Sequence, residues 1–253
     1  MFLHGIISLL LVYLYGVWYS ARELWISVVD WRKGRSCEAI VDEIKKSRFY
    51  TSTVTTSKKQ QKLNKTAIVT GGAGAIGQEI AKILLEIGYC VIVVGRGAGD
   101  FGRTLPNWTE QQKLFVHEAD MTEPIQLFRL MKMDLAGTTL EKTKVDLLVG
   151  CHGIMAAPRL ISIDNIESHM MVNCFSHVYF TNFIMKKFGA EDCRAVLLSS
   201  VTLHAALPNA DLFGTPQLFS KYENGYQAYA MSKYALSLAV KSSYHLAFGF
   251  PGA

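Results

Sequence analysis

The stretch KTAIVTGGAGAIGQEIAKILLEIGYCVIVVGR, residues 65–96, decides the fold. A short run of β-branched residues is followed by three glycines, by apolar residues at helical spacing such as Ile80, Ile83 and Ile87, and by a second apolar run. This pattern predicts a strand, a tight turn, an amphipathic helix and a second, parallel strand that is reached by a right-handed crossover. We therefore expect an α/β fold with a doubly wound, mostly parallel sheet.

The three glycines of this stretch, Gly71, Gly74 and Gly77, lie where the first strand meets the helix. Glycine allows the backbone to turn tightly there and to approach a pyrophosphate, which the N-terminus of the helix then stabilises. Between a strand and a helix, within a unit of about 30 residues, this spacing indicates a dinucleotide-binding site. The alternative is a tight turn with a purely structural role.

The end of the second strand indicates which nicotinamide cofactor is bound. NAD-dependent enzymes usually have an acidic residue there, which holds the ribose hydroxyls. This chain has Gly95 and Arg96 instead, and Asp100 follows in a loop. Because a cation suits a 2′-phosphate, the sequence favours NADP(H), and NAD(H) is the alternative. Arg96 could also be an ordinary solvated loop residue.

Composition limits the classes of function. Half of the 253 residues are hydrophobic and 19% are charged, so the chain can bury a core. The net charge of +5 is mild, and no aromatic and basic stripe or zinc-finger spacing accompanies it, so nucleic-acid binding is not expected. The five cysteines contain no CxxC pair, which fits reduced thiols better than a disulfide framework. The histidines show no metal-ligand spacing, so we expect no metal site.

The N-terminal residues predict a membrane helix. The run FLHGIISLLLVYLYGVWY, residues 2–19, has no Asp, Glu, Lys or Arg and one histidine, His4, and is long enough to cross a bilayer core of roughly 30 Å. Basic residues follow this run, which favours an anchor over a cleaved signal peptide or a buried helix and places the rest of the chain in the cytosol. We predict a transmembrane anchor at 1–20, an amphipathic helix and linker at 21–63, and a nucleotide-binding domain at 64–253.

Further motifs identify a family. In chain order they are TGGAGAIG, ADM at 119–121, VDLLVGCHGIM, HMMVNCFSHVYFTN, VLLSSVTLH and YAMSK. In this order and spacing they resemble the short-chain dehydrogenase/reductases, and most closely the membrane-anchored, retinol dehydrogenase-like branch. The resemblance covers residues 65–245. It implies a Rossmann-type domain that interconverts an alcohol and a carbonyl compound with a nicotinamide cofactor.

The resemblance also implies roles for individual residues in cofactor binding. The residues of the glycine turn would line the phosphates of the cofactor: Gly71, Gly74, Ala75, Ile76 and Gly77. Asp120 and Met121 would lie on either side of the adenine, and Gly153 would belong to the same site. Arg96 would contact the 2′-phosphate of NADP(H).

Four further residues would be catalytic by the same resemblance. Tyr229 would be the acid and base, and Lys233 would be its partner and a cofactor contact. Ser200 would hold the substrate oxygen, with Ser199 as the competitor one position earlier. Asn173, in the long helix after the fourth strand, would hold a water molecule that relays protons through Lys233.

The spacing of Tyr229 and Lys233 has a physical rationale. Residues four apart share one face of a helix. A tyrosine hydroxyl is a poor base at neutral pH because it ionises only near pH 10, and a neighbouring ammonium group favours the phenolate. Tyr229 could then exchange a proton with the substrate while Ser200 stabilises charge on the substrate oxygen. One turn of an ordinary amphipathic helix is the alternative.

The chain departs from the family pattern in three places. The glycines are spaced TGxxGxxG, whereas the branch usually has TGxxxGxG, so Ala75 takes the place of a glycine. The usual NNAG after the fourth strand, whose asparagines brace the sheet and contact the cofactor, reads GCHG at 150–153. His152 could form hydrogen bonds in place of the asparagines, and an ordinary loop histidine is the alternative. After Lys233 the chain ends at GFPGA, so we expect an incomplete domain without the last strands and with an exposed apolar sheet edge.

The leading hypothesis is an NADP(H)-dependent oxidoreductase for a lipophilic alcohol or carbonyl of the retinoid, steroid or isoprenoid type. It would lie on the cytosolic face of the endoplasmic reticulum or of lipid droplets, and the family implies a homodimer formed through the helices after the fourth and fifth strands. A truncated, non-catalytic cofactor-binding or interaction module is the alternative. A luminal enzyme is a third, for which Asn64 and Asn107 would be glycosylation acceptors.

Overall fold

The structure is a computed structural model that describes residues 2–34, 65–140, 143–161, 165–208 and 222–248. Most of the predicted amphipathic helix and linker lies outside these residues, as do Cys37, Asn64 and the C-terminal GFPGA. The four cysteines within the described ranges are free thiols, in agreement with the prediction of reduced cysteines.

A parallel sheet of five strands forms the centre of the domain. The strands are β1 (Thr66–Thr70), β2 (Cys90–Val94), β3 (Leu114–His117), β4 (Val145–Gly150) and β5 (Gly189–Leu197). Their order is β3-β2-β1-β4-β5, and every neighbouring pair is parallel. The order reverses between β1 and β4, which is where doubly wound sheets bind ligands at the carboxyl ends of their strands. The predicted α/β, Rossmann-type fold is therefore confirmed.

Helices precede, connect and follow the strands. They are α1 (Phe2–Arg32), α2 (Ala75–Glu86), α3 (Ala98–Thr104), α4 (Pro106–Glu110), α5 (Pro124–Arg129), α6 (Ser168–Met170), α7 (Ser176–Phe188) and α8 (Gly225–Phe248). A π-helical segment, Leu130–Thr139, continues α5, and a second, Met171–Phe175, joins α6 to α7. A 3-10 turn, Val201–Ala205, follows β5.

Alternate residues of the central strands face two separate cores. Val69 of β1 packs in the core that contains Leu84 of α2, and Ile68 packs in the core that contains Phe180 of α7. Because helices cover both faces of the sheet, the strands are apolar throughout, as in other buried parallel sheets. The buried side of α2 differs slightly from the predicted one, since Ile83 is 36% exposed.

Strand β5 is the last strand of the sheet on one side. No strand within the described ranges pairs with its outer edge. The edge is only partly apolar, however: Val196 is exposed, and so are Glu191, Asp192 and Arg194. Charged side chains on an edge strand discourage pairing with another sheet, so this edge is better protected than the sequence led us to expect.

The N-terminal helix differs from the predicted anchor in length and surroundings. It continues past residue 20 to Arg32 and includes the charged residues Arg22 and Glu23. One side packs against the 3-10 turn and α8, where the rings of Tyr15 and His204 lie 5.5 Å apart. Within the described part of the chain, no helix is both long and apolar enough to cross a membrane. The transmembrane anchor predicted at 1–20 is therefore not confirmed.

Candidate active site

A cleft of about 200 Å³ lies at the carboxyl ends of β1, β2 and β4. Six of the predicted cofactor residues line it: Gly71, Gly74, Arg96, Asp120, Met121 and Gly153. These residues come from four separate loops, and the reversal of strand order brings them together. Ala75 and Ile76 lie beside the cleft, exposed in the first turn of α2.

The glycine turn between β1 and α2 requires glycine at two of its three positions. Gly71 has a φ of 65°, and a Cβ atom there would lie 2.7 Å from the Cα atom of His152. A Cβ atom on Gly77 would lie 2.3 Å from the carbonyl oxygen of Gly71. Gly74 is less constrained, since its Cβ atom would meet only the Gly71 oxygen at 3.3 Å. The turn is therefore held by close backbone contacts.

The N-terminus of α2 opens at this turn. Gly74 is the N-cap residue, and no side chain caps the helix. The N–H groups of the first turn of a helix have no partner within the helix, and they carry the positive end of its dipole. Together with the glycine turn, this arrangement fits a phosphate group.

The loops after β2 and β3 carry charged groups at the rim of the cleft. The Arg96 guanidinium lies 3.8 Å from the Asp120 carboxylate, and its side chain is 69% exposed. Asp120 in turn accepts hydrogen bonds from the backbone and the hydroxyl of Thr122, both at 2.8 Å. Glu118, which the sequence analysis missed, accepts hydrogen bonds from Gly97 N at 2.6 Å and from Gly99 N, in the first turn of α3, at 3.2 Å. Glu118 therefore fixes the loop that carries Arg96.

Asn173 lies fully buried in the π-helical segment Met171–Phe175. Its Oδ1 accepts a hydrogen bond from Ile154 N at 2.9 Å, and its Nδ2 donates to Ile154 O at 2.9 Å and to Ser232 Oγ at 2.9 Å. Ser232 donates to the carbonyl oxygen of Tyr229 at 2.7 Å. Asn173 thus ties the loop after β4 to the turn of α8 that carries Tyr229.

Lys233 lies on α8 and is buried. Its Nζ donates to Leu198 O at 2.7 Å and lies 6.0 Å from the centre of the Tyr229 ring. A Cβ atom on Gly153 would lie 3.8 Å from Lys233 Nζ and 3.1 Å from Asn173 Oδ1, so both polar groups face Gly153. Burial lowers the pKa of Lys233 to about 8, so the ammonium form still predominates at neutral pH.

Ser200 and Tyr229 lie on the two elements that pack together beyond the cleft, the 3-10 turn and α8. Ser200 Oγ accepts hydrogen bonds from Thr202 N at 3.2 Å and from Thr202 Oγ1 at 2.8 Å, so its own proton can be donated elsewhere. Ser199 differs, because its Oγ lies 3.0 Å from Ser237 Oγ and it lines a separate groove between α7 and α8. Ser200, Tyr229 and Lys233 are not among the cleft-lining residues.

Two buried histidines form hydrogen bonds near the GCHG segment. His152 forms hydrogen bonds, which favours the first of the two sequence-based alternatives over an ordinary loop histidine: its Nδ1 lies 2.7 Å from Thr70 Oγ1 and its Nε2 lies 2.7 Å from Ser176 Oγ. The ring of His177, which the sequence analysis missed, stacks on that of His152 with centres 3.7 Å apart. A histidine within an apolar helical run gives no periodic signal that would reveal such a contact.

A buried Glu167 and His169 pair, also missed, holds the next part of the loop. The Glu167 Oε1 and His169 Nδ1 atoms lie 2.8 Å apart, and His169 Nε2 accepts a hydrogen bond from Ala157 N at 3.1 Å. Tyr222 donates to Ala157 O at 3.0 Å. Glu167 also caps α6, because its carboxylate accepts hydrogen bonds from the backbone N–H groups of His169 and Met170. The position of Glu167 directly before a helix was the sequence signal that could have indicated this role.

Comparison with known proteins decides the family. The family model described as short chain dehydrogenase matches residues 65–215. The chain belongs to the short chain dehydrogenase family. Human polyprenol dehydrogenase is 29% identical over 194 residues, which cover 72% of this chain and 54% of the relative. Mouse retinol dehydrogenase 11 is 31% identical over 144 residues, which cover 55% of this chain and 44% of the relative. These relatives agree with the expected likeness to the retinol dehydrogenase-like branch, and the chain spans about half of their length.

Solved structures support the fold of this short chain dehydrogenase. The angucycline C-6 ketoreductase LanV with bound NADP has a TM-score of 0.52 and 24% identity, with 74% of this chain and 69% of that chain covered. A blue fluorescent protein from a metagenomic library, in complex with NADPH, has a TM-score of 0.53 and 23% identity, with 75% and 71% covered. At these identities the likeness establishes the fold alone.

Proposed function

We propose that this short chain dehydrogenase is an NADP(H)-dependent oxidoreductase that interconverts a lipophilic alcohol and its carbonyl compound. The observation that carries the proposal is the meeting of the glycine turn, Arg96 and Gly153 in one cleft, with Asn173 and Lys233 facing Gly153 from behind. The names of the relatives, polyprenol dehydrogenase and retinol dehydrogenase, support the reaction and the lipophilic substrate class.

The cleft residues fit a nicotinamide dinucleotide, and each would have a distinct task. Gly71, Gly74 and the first turn of α2, with Ala75, Ile76 and Gly77, would hold the pyrophosphate. Arg96 is exposed at the rim and can exchange its contact with Asp120 for a 2′-phosphate, which favours NADP(H) over NAD(H). Asp120 and Met121 would flank the adenine, and Gly153 leaves space beside Lys233. The bound nicotinamide would supply or accept the hydride.

The proton chemistry would belong to α8 and the 3-10 turn. Tyr229 would exchange a proton with the substrate oxygen, and Ser200 would donate a hydrogen bond to that oxygen. The positive charge of Lys233 favours the phenolate form of a neighbouring tyrosine. Asn173 would position a water molecule and, through Ser232, the helical turn that carries Tyr229.

An activity measurement on the full chain tests this proposal. NADPH consumption would be followed with a retinoid or isoprenoid aldehyde as the substrate. We expect Tyr229→Phe to lower kcat by about 10²–10⁴-fold, the usual contribution of a general acid or base, with little change in KM. Tyr226→Phe, a nearby exposed tyrosine on the same helix, is the matched control. A Tyr229→Phe variant with unchanged kcat would refute the catalytic assignment.

The N-terminal helix supports a finer proposal, which is contact with a membrane surface on the cytosolic side. Large apolar side chains of α1 are exposed: Ile6, Ile7, Leu10, Tyr13, Leu14, Val17, Trp18, Leu24, Trp25 and Val28. Apolar helix faces with tryptophans bind at the lipid interface, where a lipophilic substrate partitions. Binding of the full chain to phosphatidylcholine vesicles, with Trp18→Ser and Trp25→Ser as the weakened variant, tests the contact. Asn107, exposed on α4, shows on which side of the membrane the domain lies, because it would be glycosylated only in the lumen.

The second candidate is a cofactor-binding or interaction module without turnover. The observation in its favour is that Ser200, Tyr229 and Lys233 are not among the residues that line the cleft. NADPH binding with no consumption of any lipophilic carbonyl would favour this candidate. A homodimer through α7 and α8, where Tyr179, Met185 and Val240 are exposed, is compatible with both candidates and is tested by the mass of the protein in solution.

A further inference from the structure

The imidazoles of His152 and His177 form a stacked pair directly behind the wall of the cleft. The two ring planes are 9° from parallel, and both side chains are buried. His177 Nε2 lies 2.9 Å from the carbonyl oxygen of His152 and donates a hydrogen bond to it. His152 itself belongs to the wall segment Cys151–Gly153. His177 therefore contacts this segment twice, through the ring of His152 and through its carbonyl oxygen.

The hydrogen bonds of His152 have a defined direction. Ser176 Oγ donates its proton to Val172 O at 2.7 Å, so the same oxygen accepts the Nε2–H of His152. The other ring nitrogen, Nδ1, then accepts the hydroxyl proton of Thr70. The network thus assigns a neutral imidazole with its proton on Nε2. This chain of bonds joins the end of β1 to the helix that carries Asn173.

The same segment is in contact with the glycine turn. The Cβ atom that Gly71 lacks would lie 2.7 Å from both the Cα and the N atoms of His152, so the turn rests against the backbone of His152. Directly before the wall segment, a Cβ atom on Gly150 would lie 2.6 Å from His177 Nδ1. The His177 ring therefore occupies space that a side chain at position 150 would take. A shift of His152 would move the wall relative to the phosphate turn.

We propose that His152, stacked on His177, is a positioning residue that sets the distance between the Cys151–Gly153 wall and the glycine turn, as cofactor binding requires. The inference rests on the proposed function, because it presumes an NADP(H) site in this cleft. His152 acts through the backbone of the wall and through Thr70 and Ser176.

The test compares variants of the full chain that each remove one link. Thr70→Val and Ser176→Ala each delete one hydrogen-bond partner of His152 and keep the ring, and His152→Ala deletes the ring. We expect the Kd for NADPH to rise about tenfold in the first two variants, in line with the loss of a buried hydrogen bond, and more in the third. Thr104→Val, which removes a hydroxyl bond remote from the cleft, is the matched control and should leave the Kd unchanged.

Two further readouts separate positioning from general stability. The KM for NADPH should rise in the variants while kcat at saturating NADPH stays within about twofold, as expected for lost uniform binding. The ¹⁵N spectrum of the histidines should show a neutral Nε2–H imidazole that disappears in His152→Ala and persists in Thr104→Val. Should His152→Ala fail to fold, Thr70→Val decides, because it keeps the ring and the volume.

Each result has a distinct meaning. If the wild-type chain binds NADPH and Thr70→Val and Ser176→Ala bind it equally well, the inference is wrong and the proposed function stands. An Nδ1–H tautomer for His152 would also overturn the inference. If the wild-type chain binds no NADPH, the proposed function fails and the inference fails with it.

Discussion

The two sides of the cleft differ in what forms them, since one is mainly backbone and the other is held by buried side chains. On the side of β1 and β2 the wall is backbone: the turn of Gly71 to Gly77 and the uncapped N-terminus of α2. On the side of β4 the wall is held by buried side chains, above all His152 and Asn173. The backbone side is specified within one short stretch, whereas the hydrogen bond from Asn173 to Ser232 joins residues 59 positions apart. A local motif can therefore predict the first side fully and the second only in part.

The largest effect is expected on the backbone side. Gly77→Ala places a methyl group 2.3 Å from the Gly71 oxygen, so the turn has to shift. We expect a loss of about 3 kcal/mol or more in the free energy of unfolding and no measurable NADPH binding, as for other overpacked backbone sites. Gly74→Ala is the control, and it should cost less than about 1 kcal/mol, since its Cβ atom has more space. Equal effects of the two variants in thermal unfolding would contradict the steric account.

The side-chain wall should respond nearly as strongly to the loss of Asn173. Asn173→Ala leaves the N–H and C=O groups of Ile154 without these partners, and each unpaired buried group costs about 1–3 kcal/mol. We expect a loss of about 3 kcal/mol in chemical denaturation. Asn182→Ala, an exposed asparagine on α7, should change stability by less than about 0.5 kcal/mol. Similar losses in the two variants would show that the Ile154 contacts do not hold the wall.

Lys233 should separate stability from activity. Its folded pKa, about 8, lies below the ordinary value of 10.5, so the buried ammonium costs roughly 3 kcal/mol at neutral pH. Lys233→Met should abolish the proposed activity and leave the free energy of unfolding unchanged or slightly higher, because relief of the buried charge offsets the lost hydrogen bond to Leu198 O. In the wild type, stability should rise between pH 8 and 10.5, because only the unfolded chain still binds this proton. A Lys233→Met protein that is clearly less stable at pH 7 would contradict this account.

The stacked histidines should make the side-chain wall sensitive to acid. Burial lowers the pKa of His177 to about 4 and the pKa of His152 well below its ordinary value, and the positive charge of Lys233 acts in the same direction. Between pH 6.5 and 5 the unfolded chain binds protons that the folded chain does not. Stability should therefore fall with falling pH by up to about 1.4 kcal/mol per pH unit for each histidine. His177→Phe should reduce this slope, and an unchanged slope would show that His177 is not neutral in the fold.

The sequence predicted the parts of the molecule that local pattern determines. The strand, turn, helix and strand of residues 65–96 have the predicted order, and Tyr229 and Lys233 lie on one helix, α8. Asn173 lies in the helix after β4, and its partner Ile154 could not be inferred, because the contact depends on how β4 and that helix pack. The catalytic roles of these residues stay predictions.

The end of α1 and the tertiary contacts of single polar residues could not be predicted from the sequence, for physical reasons. Helix α1 runs to Arg32 because no glycine or proline between residues 21 and 32 breaks it. The predicted end at residue 20 was placed where the sequence becomes less hydrophobic. His177 and Glu167 each acquire their roles from a single tertiary contact. Polar residues within apolar runs give no periodic signal, so such contacts become visible only in three dimensions.

Binding of NADPH to the full chain tests the central claim most directly. Thermal unfolding would be followed with increasing NADPH and, separately, NADH. We predict that NADPH raises the free energy of unfolding by about 2.7 kcal/mol at 100 times its Kd, that NADH protects less at equal concentration, and that Arg96→Ala removes the difference. No protection by either nucleotide at millimolar concentration would contradict the claim that the two sides of the cleft form a cofactor site.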